Sequence, residues 1–236
     1  MISPNAIRLL NLGPTLWART QSVYRATAEL FAAESHGTVI FSQPLHRYLT
    51  YGVDRSASDV FDLAACARLD LPVARRPFPG GPEYHDVNHL LFQWILPVNG
   101  DRQPIVEGAL AALGELGVPA DYGRDQFTVR GARVGTLAGG AYESANVFLG
   151  CLYLTYDSAV LSQAWREPIN ENVTTLWAEA PRPISPDVLQ DALLEHFARA
   201  TGRPIERDKP RVEETQRAKE IEMELLGIET EAMPPD

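Results

Sequence analysis

Two apolar runs constrain this fold more than any other feature: Leu90–Leu96 (LLFQWIL) and Val147–Tyr156 (VFLGCLYLTY). Each is far shorter than the roughly 20 residues a membrane helix needs. Both read as strands. The first has almost no polar alternation, which a strand shows when it is buried on both faces. Shorter strands are read at Ile7–Leu12, Thr38–Phe41, Tyr48–Tyr51, Val73–Arg76, Gln126–Val129 and Arg133–Ala138. Leu16, Trp17, Val23, Tyr24, Leu30 and Phe31 recur at helical spacing and predict a helix over about 15–33. Ser58 is placed to cap a helix carrying Val60, Phe61, Leu63, Ala64 and Ala67. Ile105, Val106, Ala109, Leu110, Leu113 and Leu116 mark a further amphipathic helix. Ser185-Pro186 opens a helix over about 186–200 that Gly202 ends. A last, highly charged helix covers about 211–226, and Pro234-Pro235-Asp236 reads as a frayed end. Strands and helices do not alternate regularly. The expected class is therefore α+β, a mixed, largely antiparallel sheet flanked by helices. Residues 1–204 are read as one catalytic-type domain. Residues 205–236 are a charged helix and tail, either part of that domain or a docking extension.

Charge narrows the partners. The net charge of −10 disfavours nucleic acid. The last 32 residues carry ten acids against five bases, most simply a solvated helix. No segment spans a membrane, and the N-terminus lacks the basic and apolar regions of a signal peptide, so a cytoplasmic location is expected. Two cysteines, Cys66 and Cys151, make no disulfide framework, and both read as core. No Cys/His group has zinc spacing, so no metal is expected. The only lysines are Lys209 and Lys219.

The chemistry concentrates in Arg75-Arg76, a Pro/Gly turn holding Gly80-Gly81, and Tyr84-His85-Asp86 just before the first apolar strand. Read alone, these residues are either an active-site loop or a solvated turn with a structural ion pair. Their spacing resembles the lipoate-protein ligase A family, within the wider biotin/lipoate ligase and octanoyltransferase group. The family pattern is an Arg pair, a variable residue, Ser or Thr, three glycines, two residues, an aromatic, then His-Asp. Arg75 to Asp86 matches it without a gap. Arg8–Pro14 is similar to the family's opening strand, Phe61–Arg68 to the helix before the Arg pair, and Phe127–Gly131 to the strand before its catalytic lysine.

The resemblance implies a biotin/lipoate ligase-like fold and an acyl ligase or acyltransferase. A lipoate- or octanoate-like carboxylate would be activated with ATP and Mg²⁺ as an acyl-adenylate, then passed to a lysine of a lipoyl-type carrier protein or to another amine. Arg75, Arg76, Gly80, Gly81, Tyr84, His85, Asp86 and Gly135 would bind substrate, with no tightly bound cofactor. Asp86 has a second reading, as a local cap of its turn. The lysine position falls on Arg133, which keeps the charge but is planar and always protonated. Arg133 reads either as an anion clamp or as a surface arginine on an edge strand. Phe78 and Pro79 replace the Ser/Thr and first glycine, and Leu137-Ala138-Gly139 and Leu149-Gly150 replace polar family residues. The alternative is therefore a non-catalytic homologue that binds a lipoyl domain or serves as the partner subunit of a true ligase. An open cavity joining Arg133 to Gly80-Gly81 favours the enzyme. A cavity filled by Phe78, Leu137 or Leu149 favours the alternative.

Overall fold

A computed structural model describes residues 3–32, 35–166 and 172–227. Ala33, at the end of the first predicted helix, and Pro234-Pro235-Asp236 lie outside the described residues. The architecture is an eight-stranded sheet, a three-stranded sheet and helices on both faces of the larger sheet. In chain order the elements are β1 (Ile7–Thr15), α1 (Trp17–Glu29), β2 (Thr38–Pro44), β3 (Tyr48–Tyr51), α2 (Ala57–Val60), α3 (Leu63–Arg68), β4 (Val73–Arg75) and β5 (Glu83–His85). There follow β6 (His89–Pro97), α4 (Gln103–Glu115), β7 (Asp121–Gly123), β8 (Gln126–Val129), β9 (Ala132–Tyr142), β10 (Ala145–Tyr153), α5 (Ser158–Ala164), α6 (Leu176–Glu179), α7 (Pro186–Thr201), β11 (Ile205–Arg207) and α8 (Val212–Leu225).

The large sheet runs β11-β1-β2-β6-β10-β9-β8-β7. Among the described strand pairs of this sheet, those of β1, with β11 and β2, are parallel. The rest is antiparallel, so the sheet is mixed and largely antiparallel, as expected. The two apolar runs pair at its centre, from Ala145↔Pro97 to Tyr153↔His89. β6 is buried on both faces. Leu90, Phe92, Trp94 and Leu96 pack with α4 and α7, while Ile95 packs with α1 and α8. That two-sided burial is why its apolar run is nearly unbroken. The small sheet, β4-β3-β5, lies apart, with its own core of Leu49, Phe61, Leu71, Tyr84 and Leu161.

α7 has the predicted signals: the Ser185 side chain accepts from the Val188 amide, Pro186 opens the helix and Gly202 ends it at φ +64°. The helix expected after Ser58 is two short ones. Phe61 is extended, bridges to Trp165 and stacks edge-on against its ring at 5.6 Å. Asp62 then starts α3 by accepting from the Ala65 amide. A tertiary pairing thus overrode the helical periodicity. The charged tail is not simply solvated either. β11 extends the sheet, and α8 buries Ala218 and Ile221 against Val23 and Tyr24 of α1.

Candidate active site

A cavity of about 290 Å³ lies between the large sheet and the small one. That is near the lower end for pockets that take small organic ligands. β6, β9 and β10 supply one wall, with Leu91, Thr136, Ala138, Leu149 and Cys151. The other comes from Arg76 and Phe78 through Glu83, with His85, and α1 adds Gln21.

Strand alternation decides which side chains enter. On β5, Glu83 and His85 face the cavity, while Tyr84 points into the small sheet's core. Arg76 reaches the cavity just after β4; Arg75 turns outward and donates to the Val53 carbonyl at 2.5 Å. Arg133 needs a further device. Phe127 pairs with Gly135 but Thr128 with Arg133, which leaves Val134 as an extra residue in β9. This β-bulge reverses the alternation. Val134 and Leu137 both enter the α4/α7 core, while Arg133 joins Thr136 and Ala138 at the cavity. The Arg133 backbone is held on its other edge by residues 172–174: its amide donates to the Asn172 carbonyl at 2.7 Å, and its carbonyl accepts from the Thr174 amide at 2.8 Å.

The polar end is a network of buried groups. The Arg133 side chain is 5% exposed as a residue, lies over the Tyr153 ring at 5.6 Å and stands 3.8 Å from a Glu83 oxygen. The Tyr153 hydroxyl donates to the other Glu83 oxygen. Arg76 donates to Thr50 Oγ1 at 2.9 Å and to the Gly81 carbonyl at 2.5 Å. His85 is stacked on Tyr48 at 4.4 Å, and its Nε2 meets Thr50 Oγ1 at 3.2 Å. Burial, with smaller contributions from His89 and Arg76, holds His85 well below the ordinary imidazole value. His85 is therefore neutral at pH 7. Burial likewise pushes the Cys151 thiol up, so it is protonated. Arg76, Arg124 and Arg133 against Glu83 and Asp125 leave the cavity lining with one excess positive charge, ready for a carboxylate or phosphate oxygen. Phe78, Leu91, Ala138 and Leu149 make the rest of the wall apolar.

The glycine turn is pinned from outside. The Gly80 amide donates to Asp54 at 3.0 Å, so it is directed away from the cavity. A Cβ on Gly52 would come within 2.6 Å of the Gly80 backbone, so only glycine allows the two turns to touch. Gly80 itself sits at φ +135°.

The family model described as the lipoyl protein ligase A/B catalytic domain matches residues 17–198. The chain belongs to this family. Several solved structures share the fold. One is protein Ta0514 from T. acidophilum with bound lipoic acid, at 19% identity and TM-score 0.81, covering 92% of this chain and 94% of that one. Another is a lipoate-protein ligase A bound with ATP, at 20% identity and TM-score 0.85, with 94% and 99% covered. A third is LipL1 of P. falciparum in complex with lipoate, at 13% identity and TM-score 0.76, with 94% and 71% covered. No curated protein matches the sequence.

Of the positions that this ligase family suggested, Arg76, Gly80, Gly81, His85 and Arg133 meet at one cavity. Arg75, Tyr84, Asp86 and Gly135 do not line it. Asp86 holds its own turn, accepting from the Val87 amide at 2.7 Å and from the Tyr84 hydroxyl at 3.0 Å. Gly135 lets β9 approach β10, since a Cβ there would lie 2.5 Å from the Cys151 carbonyl. The sequence reading missed Gln21, Thr50 and Glu83, and took Cys151 as plain core. Glu83 had a usable signal, two residues from His85 and so on the same strand face. Both lysines are exposed on the far C-terminal segment. No described helix is long and apolar enough to cross a membrane.

Proposed function

We propose that this lipoate-ligase family member binds a lipoate- or octanoate-like carboxylic acid in the cavity and activates it with ATP. A carboxylate oxygen attacks the α-phosphorus, and pyrophosphate leaves. An amine, such as the lysine of a lipoyl-type carrier protein, then attacks the acyl carbon, and AMP leaves. One observation carries this reading: Arg133 and Gly80-Gly81 line the same open cavity, whose polar end is cationic and whose walls are apolar. Phe78 and Leu149 form wall without closing it, and Leu137 lies in the core on the other face. Arg76 and Arg133 hold the negative charge that develops on phosphate and acyl oxygens. Neutral His85, fixed by Tyr48 and Thr50, positions the substrate as part of the cavity wall. Mg²⁺ enters with ATP as counter-ion of its phosphates. The carboxylates at the cavity, Glu83 and Asp125, each stand within ion-pair distance of an arginine, which suits an ion carried largely by phosphates and water. Residues 205–225 belong to the same unit rather than to a separate docking piece.

A second reading keeps the binding site without adenylation. Two features support it: Glu83 stands against Arg133, and the Gly80 amide is taken by Asp54. One solved relative is described as a bi-partite lipoate protein ligase with its E2 lipoyl domain, and this chain would then work as part of such a pair.

Calorimetric titration with a non-hydrolysable lipoyl-adenylate analogue tests the site. Micromolar binding that weakens about tenfold, roughly 1.4 kcal/mol, in both Arg133→Ala and His85→Ala supports it. No binding by the wild-type chain overturns the lipoyl-adenylate assignment. Pyrophosphate exchange into ATP, dependent on the acid, then separates the two readings.

A further inference from the structure

Behind the cavity wall, three side chains from three strands converge. Cys151 Sγ lies 3.5 Å from His89 Nδ1 and 3.9 Å from His85 Nδ1. The three atoms all lie within 4.8 Å of one another, and all three residues are buried. The register explains the meeting. Cys151 pairs with Leu91 across β10 and β6, which makes His89 its diagonal neighbour on the same face. β5 brings His85 from the small sheet.

The far nitrogens are already committed. His89 Nε2 donates to the Thr155 carbonyl at 2.9 Å. That fixes its tautomer and leaves the Nδ1 lone pair facing the sulfur. In the same tautomer, His85 donates from Nε2 to Thr50 Oγ1, and its Nδ1 faces the sulfur too. Aromatic rings hold both imidazoles in place: Tyr48 stacks on His85, and Tyr153 and Tyr156 flank His89 at 4.7 and 6.1 Å. Metal-binding histidines are oriented in this way, by a hydrogen bond from the nitrogen that does not ligate.

We propose that His85 Nδ1, His89 Nδ1 and Cys151 Sγ form a binding site for a single borderline-soft divalent cation of the Zn²⁺ class. Around zinc, bonds of about 2.3 Å to sulfur and about 2.0 Å to nitrogen at tetrahedral angles put sulfur and nitrogen about 3.6 Å apart. The two sulfur–nitrogen distances lie on either side of that value. The ligand set is the mixed thiolate–imidazole type that zinc takes from proteins. His85 and Cys151 border the cavity while His89 sits behind them, so the fourth coordination position faces the cavity and takes water or a substrate oxygen. One contact changes on binding. The Asp86 amide points at His89 Nδ1 from 3.2 Å, and the metal displaces that hydrogen bond. The proposal does not depend on adenylation.

Tag-free full-length protein, stripped with a chelator, is titrated with Co²⁺ and then Zn²⁺. One Co²⁺ per chain is expected, with a thiolate-to-cobalt charge-transfer band in the near ultraviolet that Zn²⁺ abolishes. Cys151→Ser loses the band, and His89→Gln weakens binding at least tenfold. Absence of the band, or equal metal uptake by wild type and Cys151→Ser, overturns the proposal. A second measurement needs no variant. Zn²⁺ should slow iodoacetamide labelling of Cys151, read by peptide mass spectrometry, and leave Cys66 unchanged. No difference between zinc-loaded and chelated protein at Cys151 also overturns it.

Discussion

Replacing Glu214 with alanine should destabilise this chain more than removal of any surface charge. Arg8 on β1 is 4% exposed and Glu214 on α8 is 3% exposed. They form a two-pronged pair, Nη1 to Oε1 at 2.7 Å and Nη2 to Oε2 at 3.0 Å. The Arg8 Nε donates to Asp208 at 2.9 Å, and Nη2 also reaches the Lys209 carbonyl at 3.1 Å. The Glu214 carboxylate accepts from the Arg211 amide at 2.6 Å, so it also caps α8. Glu214→Ala leaves the guanidinium buried with one carboxylate, Asp208, at its rim. Breaking a buried pair from one side costs about 3–5 kcal/mol, and the remaining aspartate puts the expectation near about 3 kcal/mol. For a chain of this size, about 1 kcal/mol moves the midpoint by about 2–4 °C, so Tm should fall by roughly 6–12 °C. The control is Glu195→Ala, which removes an exposed pair with Arg199 on α7 and should cost no more than about 0.5 kcal/mol. Thermal and urea unfolding of the three proteins decide the matter. If Glu214→Ala falls within about 1 kcal/mol of Glu195→Ala, the buried pair is not what anchors the C-terminal helix. Hydrogen exchange adds a local reading: α8 and β11 amides should open before those of β6 in the variant.

Gly150→Ala should lower Tm, because the added Cβ would lie 2.2 Å from two ring carbons of Phe92. That ring is held by Phe41 and Phe197, so overpacking costs about 1–3 kcal/mol. Gly140→Ala, with open space around its Cβ, should be neutral, and equal midpoints for the two variants would refute the packing argument. In chelated protein, stability should fall on acidification. Burial holds His89 down at about 4, against an ordinary 6.5, despite the opposing pull of Asp86. The unfolded chain thus binds protons between these values that the folded chain does not. The His89 contribution is complete above about pH 6.5 and is lost towards pH 4, at up to about 1.4 kcal/mol per unit. A flat urea midpoint across that window would count against a buried neutral imidazole. Arg76→Ala should weaken binding of the adenylate analogue at least tenfold, while Arg75→Ala, on the outward face of the same dipeptide, should leave it within about twofold. Equal losses in calorimetry would mean the two arginines do not diverge.

Local chemistry was legible wherever neighbours along the chain set the outcome. The Ser185-Pro186 start and Gly202 stop of α7 depend on backbone groups a few residues away, and the apolar runs of β6 and β10 record burial directly. The spacing from Arg75 to Asp86 was equally readable and led to the family and to five cavity residues. The sequence could not show which side of a strand each residue faces once a bulge intervenes. Arg133 enters the cavity because Val134 is one residue too many for its partner strand, and that surplus exists only in the pairing of β8 with β9. Nor could it show that Phe61 leaves a helix to pair with Trp165, or that Arg8 finds Glu214. The same holds for Cys151, which reads as an ordinary core residue until β6 and β5 set two imidazoles beside it. Each of these outcomes depends on residues far apart in the chain, whose meeting is decided by packing and strand register rather than by local preference.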